Sequence, residues 1–541
     1  MKTLKDLQLF SILESLSEYK QACQLYPDSL VTFMFELVCS SYKNVAFQSA
    51  AMQIGLRMGQ KDSSSAFEAG AAMLIVCKGI GIYSLHQNDS KIWLTPILQF
   101  SEDELYLLDD IQFETHEKPG LFYENADLIL SKFSQHMLPL NYDFINKINQ
   151  VAFVLDQDVL WNFKGENMPI TYDRLICEYL TKPIYFNWQF DSRGRSYSKG
   201  YGLNIQGNKT VRSVLSFANK EVVIDVEPLY IALANARGFD NWTWKRRIAW
   251  SKKQVISHDM IIPKGTKYPE KFVKCVRAIL DYQEGIPSGV PMELDATASG
   301  IQVMAAITGC EQTANEVNLV DSTKRKDVYG TLARKMSQSD NVDVIRDDVK
   351  QAGMTHFYNS EAAPAAVFND EELEAFYSSI DGMLPGAEFA MTELNKQWNS
   401  GKLYHSWELP DGHVAFVRTM TSKEAKYEYD GTTVKYSYYV NQGNKTSYRS
   451  LVPNIVHSID AYIARQMILR ADFEMVHVHD CFLFLPNHYK EVMQLYREIM
   501  AELVTDYNIN HIIKSLSGKT VNHFVDPSLA VKILASSYAV S

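Results

Sequence analysis

No run of about 18 apolar residues occurs in this chain, so nothing in it reads as a membrane-spanning helix. The opening MKTLKDLQLFSILESLSEYK carries acids and polar residues where a secretory signal needs an unbroken apolar core, and a cytosolic protein is expected. No C-x-x-C pair occurs among Cys23, Cys39, Cys77, Cys177, Cys275, Cys310 and Cys481; their odd number and wide scatter indicate neither a zinc site nor a disulfide framework. Internal repeats, low-complexity tracts and long Pro/Gly/Ser linkers are also missing, so one body with lobes is expected. Finally, there is no excess of positive charge. A net charge of -11 argues against a protein that coats nucleic acid with its whole surface. A cationic cleft in an acidic body is still compatible, because cations group in WTWKRRIAWSKKQ (242–254) and DSTKRKD (321–327), while acids gather in SEDELYLLDD (101–110).

What remains is an ordinary globular composition, 46% hydrophobic and 22% charged, over 541 residues. Residues 1 to about 165 carry apolar positions spaced by three and four and read mostly as helix. From about 183 the texture changes to short strands and loops. VPMELDATASGIQVMAAITG reads as strand, turn and helix, and 321–383 as mostly helix. AKYEYDGTTVKYSYYV (425–440) has an Asp-Gly turn between β-prone flanks, the signature of a hairpin.

Three features point to chemistry. Asp295 ends the strand-like PMEL and precedes the small-residue turn ATASG; Asp480 sits in the turn of VHVHDCF. A carboxylate at the end of a core strand is costly unless it is paired or binds a cation. Two such acids from distant parts of the chain suit a two-metal phosphoryl-transfer site, with hard oxygen ligands for magnesium. Taken alone, Asp295 could simply cap the next helix and Asp480 could simply form a turn. The third feature is RDDVKQAGMTHFYN (346–359). On a helix its Arg346, Lys350 and Tyr358 fall within an arc of roughly 120°, with Lys350 about 12 Å from Tyr358, close to the length of a nucleoside triphosphate. By itself this could be a solvated charge pair followed by a core tyrosine. The three together favour a nucleotidyl transferase.

These residues lie in blocks that resemble the single-subunit DNA-dependent RNA polymerases of phages and mitochondria, over roughly residues 143–541. DSRGRSY and NIQGN resemble D-x-R-G-R-x-Y…P-Q-G-N; LDATASGIQ resembles D-G-S-x-S-G-I-Q, and NLVDSTKRKDVYG is similar to the stretch that follows it. The 346–359 segment resembles R-x-x-x-K-x-x-x-M-T-x-x-Y-G. PNIVHSID and HVHDCFLFLP resemble P-N-F-V-H-S-x-D and I-H-D-S-F, and ILASSYAVS is similar to the family's C-terminal tail. Six blocks in the right order make the resemblance specific.

The resemblance implies an α+β, mainly helical chain with a right-hand polymerase fold: a small antiparallel β palm, helical fingers, a reduced thumb and a helical N-terminal region. The expected division is 1–165 N-terminal region with a thumb-like portion, 166–300 first part of the palm, 301–454 fingers, and 455–541 second part of the palm with the tail. By the same resemblance Asp295 and Asp480 would hold two Mg²⁺ ions. Arg346 and Lys350 would grip the triphosphate, with Lys350 able to protonate the leaving pyrophosphate, and Tyr358 would close over the base and test the sugar. His457 would lie near the ribose, His479 beside the metal acid, and Tyr329 near the templating base, while Arg193 and Arg195 would contact the template or hybrid backbone. The implied partners are a DNA template, the RNA transcript and ribonucleoside triphosphates, in the host cytoplasm if a phage encodes the chain.

Departures from the pattern matter too. Ala296 and Asn359 replace glycines, and Asn241 stands where a triphosphate-contacting lysine is usual, a loss that Arg246 or Arg247 could offset. The front end is short, 161–190 leaves little room for a thumb, and the interval from Gly412 to His457, where a promoter-reading hairpin belongs, is short as well. These features suggest a minimal phage transcriptase that needs an accessory protein to open duplex DNA. A primase or DNA polymerase on the same palm, or a non-catalytic nucleic-acid-binding relative, are the alternatives.

Overall fold

The structure, a computed structural model, describes residues 12–39, 45–60, 63–88, 91–98, 117–123, 128, 141–163, 178–199, 203–254, 256–257, 260–320, 325–339, 342–360, 362–429 and 432–541. The chain divides into two compact units, Met1–Thr115 with Thr419–Asn444, and His116–Arg418 with Lys445–Ser541. Both are rich in helix, with small antiparallel sheets.

In the first unit, helices Asp28–Cys39, Phe47–Arg57 and Ser63–Ile80 contribute Phe35, Phe47, Ile54, Phe67 and Leu74 to one core. Small residues let the second and third of these helices touch backbone to backbone. A Cβ on Gly55 would lie 1.7 Å from the Ala66 carbonyl oxygen, and one on Gly70 would lie 1.8 Å from that of Ala51, so neither glycine can carry a side chain. The expectation of a mostly helical front end missed a sheet here: β1 (Val45–Ala46) and β2 (Tyr83–Asn88) flank β3 (Lys91–Pro96). The unit also contains the hairpin expected at 425–440, as β11 (Met420–Tyr429) and β12 (Thr432–Asn441). It is longer than its sequence interval suggested. Ten residues pair along each strand, a ribbon of about 33 Å, because nearly all of the interval is spent on paired strand.

The second unit is built on a three-stranded sheet in the order β13 (Met475–Val478), β14 (Cys481–Phe484), β8 (Met292–Asp295). Alternation sets the register. Leu294 and Phe482 pair and are buried, while Asp295 lies opposite Cys481. Helices α1 (Ser299–Thr308), α2 (Arg346–Phe357) and α3 (Leu451–Arg470) belong to the same unit. The buried Gln302 of α1 ties this core together: it donates to the carbonyls of Val317 (2.8 Å) and Ala539 (2.9 Å) and accepts from the Tyr496 hydroxyl (2.8 Å). Short hairpins flank the sheet, β5 (Trp188–Phe190) with β6 (Ser196–Ser198) and β9 (Tyr404–Glu408) with β10 (Val414–Arg418). A third pair joins β4 (Phe153–Leu155) to β7 (Leu215–Phe217). Beside it the buried Asp156 carboxylate accepts from Ser216 and Arg277 and faces Lys274 at 3.7 Å. Burial alone would raise that carboxyl, and the cations more than offset it. The expectation of a reduced thumb rests on 161–190, of which residues 164–177 lie outside the described ones.

Candidate active site

The hairpin between β13 and β14 has only His479 and Asp480 as its turn, since Val478 pairs with Cys481. Cys481 in turn pairs with Asp295, so sheet register brings together two acids 185 positions apart in the chain (480 − 295). Asp295 is not the cap of the following helix; Ala298 is. Nor are the two acids buried from water: Asp295 is exposed to a cleft and Asp480 half-exposed. Both nonetheless lie at its floor, and the crowding of protein around Asp295 together with the Asp480 charge pushes the Asp295 carboxyl above the usual range. Solvent in the cleft screens the repulsion between the two carboxylates.

The cleft has a volume of about 770 Å³. Along with the two acids, Arg195, Tyr329, Arg346, Lys350, Tyr358 and His479 line it. His457 and Arg193 stand just behind, with the His457 ring 4.9 Å from that of Tyr358 and Arg193 Nη1 donating to His457 Nδ1 at 2.8 Å. Because a guanidinium only donates, His457 Nδ1 accepts and the neutral ring carries its proton on Nε2. Burial, then the two arginines, hold that imidazole down at about 3, so it stays neutral.

Helix α2 presents its cations unequally. Arg346 grips Asp327 through Nε (2.5 Å) and Nη2 (3.1 Å) and reaches Asp347 at 3.3 Å, whereas Lys350, one turn on, is exposed and forms no ion pair among the described residues. The helix ends at Tyr358, whose hydroxyl burial pushes up to about 12. Tyr329 is likewise raised by burial and packs against Gly353 of α2. Next comes Asn359 in the left-handed region, φ 65°, paired with Asn395 through two amide hydrogen bonds of 2.9 and 3.2 Å. This accounts for a glycine-like position: asparagine is among the few other residues that tolerate that conformation. Asn359→Ala is therefore expected to destabilise the protein by about 1–2 kcal/mol from backbone strain alone, and Asn359→Gly by less, as read by denaturant unfolding.

Arg195 and Arg193 leave the β5–β6 turn, where Asp191 Oδ1 accepts from both of their backbone amides. Arg195 meets Asp460 at 3.2 Å. Burial dominates that carboxyl, pushed up to about 7 in spite of the guanidinium beside it. Neither arginine proposed to stand in for the lysine replaced by Asn241 is placed to do so. Arg247 is fully buried and donates to the carbonyls of Asp240 and Trp242, and Arg246 lies 3.7 Å over the Trp242 ring. Of the cations that line the cleft, the sequence reading missed Lys267 and Lys326, and also Arg325, whose Nε donates to Ser541 Oγ at 2.9 Å. Arg325 and Lys326 belong to the DSTKRKD run, which was visible only as a group of charges. Asp460 was missed too, although it lies three residues after His457 on the same helix.

An all-oxygen pair of carboxylates that repel each other suits hard divalent cations. Among the described residues no group of three His, Cys, Asp or Glu side chains comes together. A sequence model of the DNA-dependent RNA polymerase family matches residues 225–396, a span that includes Asp295, Tyr329, Arg346, Lys350 and Tyr358. A probable DNA-directed RNA polymerase of Gelasinospora sp. is 22% identical over 506 residues, 75% of this chain and 60% of that one. This chain is similar to the phage- and mitochondrial-type RNA polymerases. A second relative in that family, from Neurospora crassa, is 25% identical over 381 residues, covering 56% of this chain and 42% of the relative. The DNA-directed RNA polymerase of Pseudomonas phage phiKMV is 29% identical over 185 residues, 31% of this chain and 22% of the phage protein. The chain thus spans less than two thirds of the length of these relatives. Among solved structures, the POL domain of Pol1 from M. smegmatis, in complex with DNA primer-template and dNTP, gives a TM-score of 0.33 at 13% identity over 62% of this chain and 47% of that one, too weak a likeness to bear on the fold.

Proposed function

We propose that this chain synthesises RNA on a DNA template from ribonucleoside triphosphates by two-metal nucleotidyl transfer. The observation that carries this reading is the convergence of Asp295 and Asp480 at the floor of a cleft walled by Arg325, Arg346, Lys350 and Tyr358. Asp295 and Asp480 would hold two magnesium ions, which supply Lewis-acid activation of the attacking hydroxyl and neutralise phosphate charge. Arg325 and Arg346 steady the triphosphate, Arg346 by sharing its fork with Asp327. Lys350 gives a proton to the departing pyrophosphate. Tyr358, backed by His457, covers the base and tests the sugar, Tyr329 stands near the templating base, and Arg195 and Arg193 hold the turn that faces the nucleic-acid backbone. In these terms the β8–β13–β14 sheet is a palm and the helices around α2 are fingers.

The deciding experiment supplies a primed RNA–DNA hybrid, Mg²⁺ and either ribo- or deoxynucleotides. Template-dependent extension with ribonucleotides supports the reading; efficient use of deoxynucleotides would favour the primase or DNA polymerase alternative, and no extension the non-catalytic one. Tyr358→Phe is expected to relax discrimination against deoxynucleotides in that assay, and unchanged selectivity would remove the hydroxyl from sugar testing. We also propose that duplex promoters are opened with an accessory protein, because a net charge of -11 offers no broad attraction to duplex DNA. The long β11–β12 ribbon removes one earlier support for this. Run-off transcription on matched duplex and single-stranded templates is expected to favour the single strand, and accurate initiation from paired duplex by the protein alone would contradict it. Action in the cytoplasm is part of the proposal; some relatives are named as mitochondrial.

A further inference from the structure

The His479–Asp480 turn has an unusual cost. His479 sits at φ 58°, in the left-handed region, where a residue other than glycine loses about 1–2 kcal/mol. Something must hold it there. Its carbonyl oxygen faces Nδ1 of His477 at 3.0 Å. A carbonyl can only accept, so Nδ1 carries the proton; Nε2 of the neutral ring is then an acceptor, and the Ser196 hydroxyl donates to it at 2.6 Å. The tautomer follows from geometry alone. The ring is 3% exposed, stacks on Trp188 at 5.4 Å and 19°, and packs against Phe144. Gln206 adds a brace, with Nε2 donating to the carbonyls of Ser196 (3.2 Å) and His477 (3.3 Å).

We propose that Ser196 and His477 act as a positioning pair: the serine hydroxyl anchors the far side of the ring at Nε2, and the histidine holds the turn that presents the Asp480 carboxylate to the cleft. The inference rests on the reading of Asp480 as a metal acid. Neither residue touches the cleft, and both occupy positions that the family pattern leaves open, the variable site in D-x-R-G-R-x-Y and the residue before Val478. Without the hydroxyl, the buried Nε2 acceptor loses its partner, the ring is no longer anchored on that side, and its hold on the His479 carbonyl loosens.

The test uses the full chain with His477→Phe, His477→Asn, Ser196→Ala and Ser196→Thr. Three quantities are read: Mn²⁺ affinity by electron paramagnetic resonance without nucleotide, the extension rate with its nucleotide KM, and the thermal midpoint. His477→Phe keeps a ring but no donor, and is expected to weaken Mn²⁺ binding and slow extension by about tenfold or more with little change in KM. His477→Asn, whose amide can still donate to the carbonyl, is expected to recover most of both, and Ser196→Thr to match the parent. Should His477→Phe fail to fold, Ser196→Ala, which removes one oxygen atom, carries the test. Parental Mn²⁺ affinity in folded His477→Phe or Ser196→Ala would overturn the proposal. So would His477→Asn impaired as badly as His477→Phe with the same loss of thermal midpoint, since packing alone would then explain both. Because Mn²⁺ affinity is read without catalysis, an inactive parent would sink the polymerase reading and leave this test intact.

Discussion

Replacing Asp295 or Asp480 with Asn is expected to lower template-dependent extension by at least about a hundredfold while leaving the fold in place. Both side chains face the cleft rather than the core, so the amide, nearly the same shape, disturbs no packing. The stability of these variants adds a second signature. The Asp295 carboxyl is raised by its surroundings and by Asp480. A folded-state value above the unfolded one means that this group's contribution is fully present below the ordinary carboxylate range and is lost as pH rises through the raised value. At neutral pH and above, with metal chelated, the parent therefore carries unrelieved repulsion that Asp295→Asn lacks. Its thermal midpoint in chelator at pH 8 is expected to equal or exceed that of the parent, with the advantage shrinking towards pH 4. Turnover above about a hundredth of the parental rate in either variant would remove that residue from the metal site. A clear loss of stability in chelator would mean that the carboxylate has a protein partner after all.

Lys350→Ala is expected to be the most damaging change on helix α2, lowering the maximal rate by about a hundredfold or more, in the range of general acid catalysis. Arg346→Ala is expected to raise apparent KM instead. The structure supplies the reason for the asymmetry. The Arg346 guanidinium is already committed to Asp327 through two contacts, so its share in phosphate binding is partial and is present before and during reaction. Lys350 carries no such commitment among the described residues and lines the same cleft. A group that acts only as the bond to pyrophosphate breaks changes the maximal rate, whereas one that binds throughout changes affinity. Single-turnover kinetics over a range of nucleotide concentrations separates the two, and equal effects confined to apparent affinity would end the proton-donor role.

Much of the cleft was legible because its chemistry sits in short contiguous blocks. Strand, turn and helix around Asp295 follow from PMELDATASG, and the alternation in MVHVHDCFLF gave the two strands around Asp480. Side-chain commitments were not legible. That Arg325 reaches the tail at Ser541 and that Asp460 underlies Arg195 depend on contacts across hundreds of residues, and that Arg247 is spent on the carbonyls of Asp240 and Trp242 depends on how the adjoining loop turns back on the helix. The front end was misread in part because Tyr83–Pro96 follows a long helical stretch, and its two strands pair only locally before meeting β1. Burial of the acids was inferred from their apolar neighbours in sequence, yet strand ends open onto the cleft.

The two-residue turn between β13 and β14 also sets how much variation in length the chain can absorb there. Strand β14 is paired on both sides, with β13 through Val478–Cys481 and with β8 through Cys481–Asp295. One residue inserted or deleted within that strand would exchange its two faces, sending Phe482 towards the cleft and the chemistry towards the core. Libraries that vary loop length should therefore find this corner of the molecule intolerant of any indel, and natural variants should record substitutions there but no gaps.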